Sequence, residues 1–218
     1  MGENRQRIVV IGAGGHGHVV VDALLASAQA GSHYEVVALV DDASHLQGMA
    51  IAGVRVAGPI AALDRIPHDA VIVAIGDNGA RRRIQEQLAA RGVAVVAARH
   101  PSAVVSPEAV VDAGALVCAG AILGPLARIG AGAIVNTGAR VDHHCAVGAF
   151  AHVAPGATLA GGASIGEEAL VGVNAAVLPG VRVGARAVIG AGAVVVRDVS
   201  DGVTAVGVPA RVVAAARS

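Results

Sequence analysis

The chain has 218 residues, with 16 basic and 16 acidic side chains, and 55% of it is hydrophobic although only 1% is aromatic. The balanced charge argues against a nucleic-acid surface, and no apolar stretch reaches the roughly 18 residues that a membrane-spanning helix needs. Two cysteines do not make a disulfide scaffold, so a cytoplasmic location is expected.

Strands and helices alternate over residues 1–98, which we take as the first domain. This alternation predicts a small Rossmann-like α/β domain with a parallel sheet. Strands are predicted at residues 8–11, 36–40, 70–75 and 93–97, and helices at residues 18–30 and 81–91.

A glycine-rich segment, GAGGHG at residues 12–17, lies between the first strand and the first helix. In that context a phosphate can approach the amino end of the helix. Asp41 and Asp42 end the second strand, about where an acid would meet a ribose. The domain is about half of a dinucleotide-binding unit, so a UDP-sugar suits it better than NAD. The alternative is a structural turn that binds no ligand. We expect Arg81–Arg83 to lie on a solvated face of the second helix rather than to bind a phosphate.

A hexapeptide repeat fills most of the second half of the chain. Every sixth residue from Val105 to Val195 is Val, Leu or Ile over sixteen positions, and Ala lies two residues earlier in fourteen of them. A stride of six fits short strands joined by tight corners, with three hexapeptides to each triangular coil, so we expect about five coils of a parallel β-helix. Gly, Asn or Asp often follows the aliphatic residue, and we expect these residues to adopt the positive φ of the corners.

His143 and His144 occupy polar positions of the repeat, so we expect them on the outer surface. We take both as candidate catalytic residues, because imidazole takes up a proton near neutral pH, with ordinary solvated histidines as the alternative. Cys145 stands at an Ala position and is expected to be buried and inert, as is Cys118. No tight His/Cys cluster occurs, so no metal is expected.

Several segments together resemble one family, the bacterial nucleotide-sugar acetyltransferases. Its members are the UDP-4-amino-sugar N-acetyltransferases of the bacillosamine pathway, the GDP-perosamine N-acetyltransferases and the sialic acid O-acetyltransferases. The segments are GAGGHG (12–17), VDD (40–42), AIGDN (74–78), HPSAVVSP (100–107), NTGARVDHHC (136–145), HVAPGA (152–157), LVGVNAAVLPGV (170–181), IGAGAVVVRDV (189–199) and GVPAR (207–211).

The resemblance implies a left-handed β-helix over residues 99–218 with a C-terminal cap, and a homotrimer with active sites between subunits. It implies acetyl-CoA as co-substrate and a nucleotide-sugar acceptor. The implied nucleotide-sugar residues are Gly14, Gly15, His16, Asp41, Asp42 and Gly76. His143 is the implied catalytic base, and the implied acetyl-CoA contacts are His152, Val173 and Ala191.

One position departs from the family pattern. The family follows the catalytic His with Glu or Asp, whereas this chain has His144. The group that orients His143 is therefore open, with a backbone carbonyl or a group from another subunit as candidates. The resemblance favours N-acetylation of a nucleotide-linked amino sugar. Sialic acid O-acetylation and a non-catalytic nucleotide-sugar-binding scaffold are the alternatives.

Overall fold

The computed structural model describes residues 5–215, apart from the side chains of residues 214 and 215. Contacts divide the chain into two compact units between Pro101 and Ser102. The outer ends of the two predicted domains, residues 1–4 and 216–218, lie outside the described residues.

The elements of the first unit are β1 (Gln6–Ile11), α1 (Gly15–Gln29), β2 (Tyr34–Val40), β3 (Ala50–Ile51), β4 (Val54–Arg55), a 3₁₀ helix (Ile60–Arg65), β5 (Ala70–Val73), α2 (Asn78–Ala90) and β6 (Ala98–Arg99). Three of the strands form a parallel sheet with the order β2-β1-β5. Val9, Val71 and their apolar neighbours form its core. A short antiparallel hairpin, β3 and β4, and one 3₁₀ helix were not predicted.

Both helices begin three residues before their predicted starts. Gly15 and Gly17 lie in the first turn of α1, although their low helix propensity favours the preceding loop. A Cβ on Gly17 would come within 2.4 Å of the carbonyl oxygen of Gly12, so close packing requires glycine there. The α2 helix begins at Asn78 because the carboxylate of Asp77 accepts the Ala80 N–H and caps it.

The strand predicted at residues 93–97 is reduced to a bridge between Val71 and Val95. The Val71 N–H donates to the carbonyl of Ala94, and the Val96 N–H donates to the carbonyl of Val71. The apolar sequence of this segment therefore adds one short contact to the sheet edge rather than a full strand.

Arg81 was predicted on a solvated helix face, and that prediction is wrong. Its side chain is 1% exposed, and its guanidinium donates to the carbonyls of Ile75 (2.8 Å) and Gly76 (3.2 Å) and to Asn78 Oδ1 (2.8 Å). Burial and, secondarily, the charge of Arg81 lower the pKa of His16 to about 4, so the His16 ring is neutral at pH 7. Arg81 thus fixes the loop that follows β5.

The second unit is the predicted three-sided parallel β-helix. Its hexapeptides form sixteen two-residue strands, each ending in the predicted Val, Leu or Ile, and two longer strands follow. The strands are β7 (Val104–Val105), β8 (Val110–Val111), β9 (Leu116–Val117), β10 (Ile122–Leu123), β11 (Arg128–Ile129), β12 (Ile134–Val135), β13 (Arg140–Val141), β14 (Ala146–Val147), β15 (His152–Val153), β16 (Thr158–Leu159), β17 (Ser164–Ile165), β18 (Leu170–Val171), β19 (Ala176–Val177), β20 (Arg182–Val183), β21 (Val188–Ile189), β22 (Val194–Val195), β23 (Val203–Val206) and β24 (Arg211–Ala215).

Each hexapeptide strand pairs in parallel with its counterpart on the same face of a neighbouring coil. Arg140 pairs with Thr158, for example, and Ile134 pairs with His152. The aliphatic and alanine rows point inward and form one continuous core. At the far end, β23 pairs in parallel with β21, and β24 turns back antiparallel to β23.

The corners use positive φ, but not at the predicted position. Positive φ occurs three residues after the aliphatic residue, at every sixth position from 114 to 192, and six of these fourteen positions are not glycine. Each non-glycine residue there costs roughly 1–2 kcal/mol of backbone strain. The fourteen residues are Gly114, Gly120, Leu126, Gly132, Gly138, His144, Phe150, Gly156, Gly162, Glu168, Asn174, Gly180, Arg186 and Gly192.

Glycines that directly follow the aliphatic residue serve a different purpose. A Cβ on Gly148 would lie 2.7 Å from the backbone nitrogen of Glu167, and one on Gly130 would lie 2.7 Å from that of Ala149. These glycines allow successive coils to approach closely, and the prediction that they provide positive φ is wrong.

We predict that Gly148→Ala destabilises the protein more than Gly138→Ala. The first substitution forces a Cβ into the backbone of the next coil, with an expected cost of about 3 kcal/mol. The second, at φ 65° with open space around it, costs about 1 kcal/mol. Denaturant unfolding of both variants measures the difference, and equal losses of stability would contradict this account of the glycine row.

Candidate active site

His143 and His144 lie together at an exposed corner between β13 and β14. Asp142 precedes them, and its Oδ1 accepts the backbone N–H of His143 at 2.7 Å. The carboxylate of Asp142 therefore holds the backbone of His143 at the corner.

The two imidazoles contact one another directly. Nδ1 of His143 is 3.0 Å from Nδ1 of His144, and the rings meet edge to face with an interplanar angle of 87° and centroids 5.3 Å apart. A hydrogen bond at this distance requires one nitrogen to carry the proton and the other to accept it. The neighbouring ring is thus the group that touches His143 Nδ1, rather than either candidate considered from sequence.

Gly161 lies one coil after His143 and was missed by sequence reasoning. A Cβ at this position would come within 2.5 Å of both Nε2 and Cε1 of His143. The absence of a side chain at Gly161 therefore leaves room for the Nε2 edge of the imidazole. The offset between the two positions, one full coil of the repeat, is the sequence signal that links them.

A pocket of about 240 Å³ opens on the flat face beside this corner. It lies over β10, β13 and β16 and includes Asp142, the residue next to His143. Its lining residues are Ile122, Gly124, Arg140, Val141, Asp142, Thr158, Leu159 and Ala160.

His152, an expected acetyl-CoA contact, lies on β15 and is partly buried. Its Nε2 is 3.0 Å from Nδ2 of Asn136. Since an amide nitrogen donates, Nε2 accepts, and the neutral ring carries its proton on Nδ1. The Oδ1 of Asn136 accepts the Thr137 N–H at 2.8 Å, which fixes the amide orientation.

Val173 and Ala191, the other expected acetyl-CoA contacts, lie at the same corner in successive coils. Both are exposed, and the carbonyl of Val173 accepts the Gly192 N–H at 2.8 Å. The structure therefore stacks these two positions, as their offset of one full coil requires.

The cysteines are both buried, as expected. The Cys145 thiol donates to the carbonyl of Ala160 at 3.2 Å, and burial raises its pKa. Burial raises the pKa of Cys118 to about 12. Neither thiol is available as a thiolate near neutral pH.

The six expected nucleotide-sugar residues lie at the carboxyl edge of the parallel sheet, in the loops after β1, β2 and β5 and in the first turn of α1. Gly14, Gly15 and Gly76 are exposed, and a Cβ at any of them would have nothing within 4 Å. His16 is partly buried in the first turn of α1.

The carboxylates of Asp41 and Asp42 accept hydrogen bonds from backbone N–H groups. The two oxygens of Asp41 accept the N–H groups of Ala13 (2.7 Å) and Ala43 (2.8 Å), and Oδ1 of Asp42 accepts that of Ile60 (2.8 Å). Asp41 therefore ties the glycine-rich turn to the end of β2. Asp42 is exposed beside it.

Two negative findings apply to residues 5–215. They contain no group of three or more His, Cys, Asp or Glu side chains with a metal-site arrangement. Neither helix in this range has the length and hydrophobicity needed to cross a bilayer.

Comparison with known protein families gives two matches. Residues 7–88 match the PglD N-terminal domain, and residues 162–197 match the bacterial transferase hexapeptide family of six repeats. A search of curated proteins gives no match.

Solved structures match over nearly the whole chain. The acetyltransferase domain of PglB from Neisseria gonorrhoeae FA1090 is 38% identical, with 96% of this chain and 100% of that chain covered and a TM-score of 0.89, and it has also been solved with acetyl coenzyme A. PerB from Caulobacter crescentus, in complex with CoA and GDP-perosamine, is 44% identical, with coverage of 94% and 96% and a TM-score of 0.87. WeeI from Acinetobacter baumannii AYE is 30% identical, with coverage of 94% and 99% and a TM-score of 0.84.

These likenesses confirm the expected fold, an α/β domain followed by a left-handed β-helix of hexapeptide repeats. They also confirm acetyl-CoA as co-substrate and leave the non-catalytic scaffold without support. The chain therefore belongs to the family of hexapeptide-repeat sugar N-acetyltransferases with a PglD-type N-terminal domain, and it is an acetyl-CoA-dependent sugar acetyltransferase.

Proposed function

We propose that the protein acetylates the amino group of a nucleotide-linked amino sugar of the UDP-4-amino-sugar or GDP-perosamine type, with His143 as general base. The observation that carries the proposal is the exposed His143 imidazole, whose Nδ1 contacts His144 while its Nε2 edge lies over a glycine. The 44% identity to an enzyme solved with CoA and GDP-perosamine supports the acceptor class.

In this proposal the first unit binds the nucleotide part of the acceptor. The exposed Gly14 and Gly15 lie at the amino end of α1, where backbone N–H groups and the helix dipole favour a diphosphate. Gly76 leaves open space at the same sheet edge, and Asp42 is the exposed acid for a ribose hydroxyl. Asp41 acts through the turn that it braces, and the neutral His16 adds no charge to the first turn of α1.

In the second unit, acetyl-CoA supplies the activated acetyl thioester. We assign its binding to His152 and to the stacked positions Val173 and Ala191. The family resemblance also supports a homotrimer with active sites between subunits.

The chemistry requires a neutral amine, because an ammonium group has no lone pair with which to attack the thioester carbonyl. Nε2 of His143 takes the proton from the sugar nitrogen as the new N–C bond forms. The same nitrogen then returns a proton to the departing CoA sulfur as the C–S bond breaks. Direct transfer agrees with the buried Cys145, whose raised pKa disfavours an acyl-enzyme on that thiol.

Substrate screening tests the acceptor class. We predict that CoA is released only when a UDP-, GDP- or dTDP-linked amino sugar is added together with acetyl-CoA. A thiol-reactive dye measures the release, and mass spectrometry locates the new amide. Release with sialic acid or its CMP form alone would favour the O-acetyltransferase alternative and contradict the proposal.

Replacement of the base gives a second prediction. His143→Ala lowers kcat by about 10²–10⁴-fold, the usual contribution of a general base, while the KM for acetyl-CoA changes little. The matched control is His33→Ala, an exposed histidine at the opposite edge of the sheet from the nucleotide-sugar residues, which keeps normal kcat. A folded His143→Ala variant with full activity would remove the proposed base.

Gly161 gives a third prediction. Gly161→Ala places a methyl group within 2.5 Å of the Nε2 edge of His143, and the exposed imidazole has to swing away. We expect at least a tenfold loss of kcat with little loss of stability, because the clash is relieved by a side chain rather than by backbone. Thermal unfolding and steady-state kinetics separate the two effects. Unchanged kcat would show that the ring position beside Gly161 is not the reactive one.

A further inference from the structure

The contact between His143 and His144 restricts where the protons of the two rings can be. With 3.0 Å between the Nδ1 atoms, one ring donates an Nδ1–H and the other accepts it. If His144 donated, neutral His143 would carry its own proton on Nε2 and could not act as a base from that nitrogen. If His143 donates, its Nε2 has a free lone pair.

We infer that His144 is a positioning residue whose neutral Nδ1 accepts the Nδ1–H of His143 and so directs the Nε2 lone pair toward the acceptor sugar. This inference rests on the proposed function, since it assigns the partner of the proposed base. His144 thereby fills the place that an acidic residue holds in the family pattern, without adding a negative charge.

The backbone of the corner fixes this arrangement. His144 has a φ of 59°, and its N–H donates to the carbonyl of Pro125 at 3.0 Å. The carbonyl of His143 accepts the N–H of Gly162 at 2.9 Å. Both residues are therefore tied to the coils on either side, which limits the backbone positions from which their rings can meet.

The residues stacked on the pair in the coils before and after it carry no charge. The adjacent coils contribute Pro125 and Leu126 on one side and Gly161 and Gly162 on the other, none of which titrates. Asp142 bonds the backbone of His143, and the next residue, Cys145, is buried.

This environment has a functional consequence. A carboxylate acceptor would favour the imidazolium form of His143, whereas a neutral imidazole accepts the hydrogen bond without that charge. Uptake of a proton at Nε2 of His143 leaves this contact in place, whereas a further proton on Nδ1 of His144 would put hydrogen on both Nδ1 atoms and break it.

Three substitutions at position 144 test the inference, and each suits the positive φ of the corner. His144→Leu removes the acceptor and copies Leu126, which occupies the same corner one coil earlier with a φ of 61°. His144→Asn and His144→Asp place Oδ1 the same number of bonds from Cα as Nδ1 of histidine, and both residues tolerate positive φ. The Asn variant supplies a neutral acceptor at position 144, and the Asp variant supplies a charged acceptor of the kind that the family pattern has there.

We expect kcat of His144→Leu to fall about 10- to 100-fold with an unchanged KM for acetyl-CoA, because the ring loses its fixed tautomer. The Asn variant recovers most of the lost activity. The Asp variant is active, but the acidic limb of its kcat/KM profile moves to higher pH by about one unit or more, while that of the Asn variant does not.

Equal activity of the Leu variant and wild type, or equal acid limbs for the Asn and Asp variants, would overturn the inference. If the Leu variant does not fold, the Asn and Asp profiles decide alone. His143→Ala separates this inference from the proposed function. A fully active His143→Ala variant would show that His143 is not the base. An inactive His143→Ala variant together with a fully active His144→Leu variant would contradict only the role of His144.

Discussion

The constraint on which the second unit depends is the parallel pairing of each short strand with its counterpart in the next coil. It stacks residues in vertical rows, so the surroundings of any side chain come from the same position in the coils before and after it. His143 therefore meets Gly161, and His144 follows Leu126 in its row. The proposed base owes its position to the rigid core beneath it rather than to a flexible loop.

The first unit uses backbone geometry at a sheet edge for a similar purpose. Asp41 and the buried Arg81 contact mainly the loops around them, and so hold the edge at which Gly14 and Gly76 leave open space. Charged side chains whose sequence positions suggest contact with a phosphate or a ribose act here partly as internal braces. Exposed amides and small residues at this edge then remain for the proposed nucleotide contacts.

Sequence reasoning predicted the β-helix well because the row from Val105 to Val195 records the inward direction of every strand. It placed positive φ at the wrong corner position. Glycine is needed at positions such as Gly130 because successive coils lie too close for a Cβ, and that distance is known only from the folded structure. The burial of Arg81 could not be predicted, because nothing in the helix sequence indicates that its guanidinium will donate to backbone carbonyls. His143 and His144 were predicted as candidates. Their ring contact could not be predicted, because it depends on the positive φ of His144, and a residue other than glycine gives no sequence signal for that conformation.

The most direct test of the account is nitrogen-15 NMR of the protein labelled at histidine, near neutral pH. The account predicts that His143 carries its proton on Nδ1, with a bare Nε2, and that a coupling through the hydrogen bond links its Nδ1 to that of His144. A His143 ring protonated on Nε2 in the resting protein, with no coupling to His144, would contradict it.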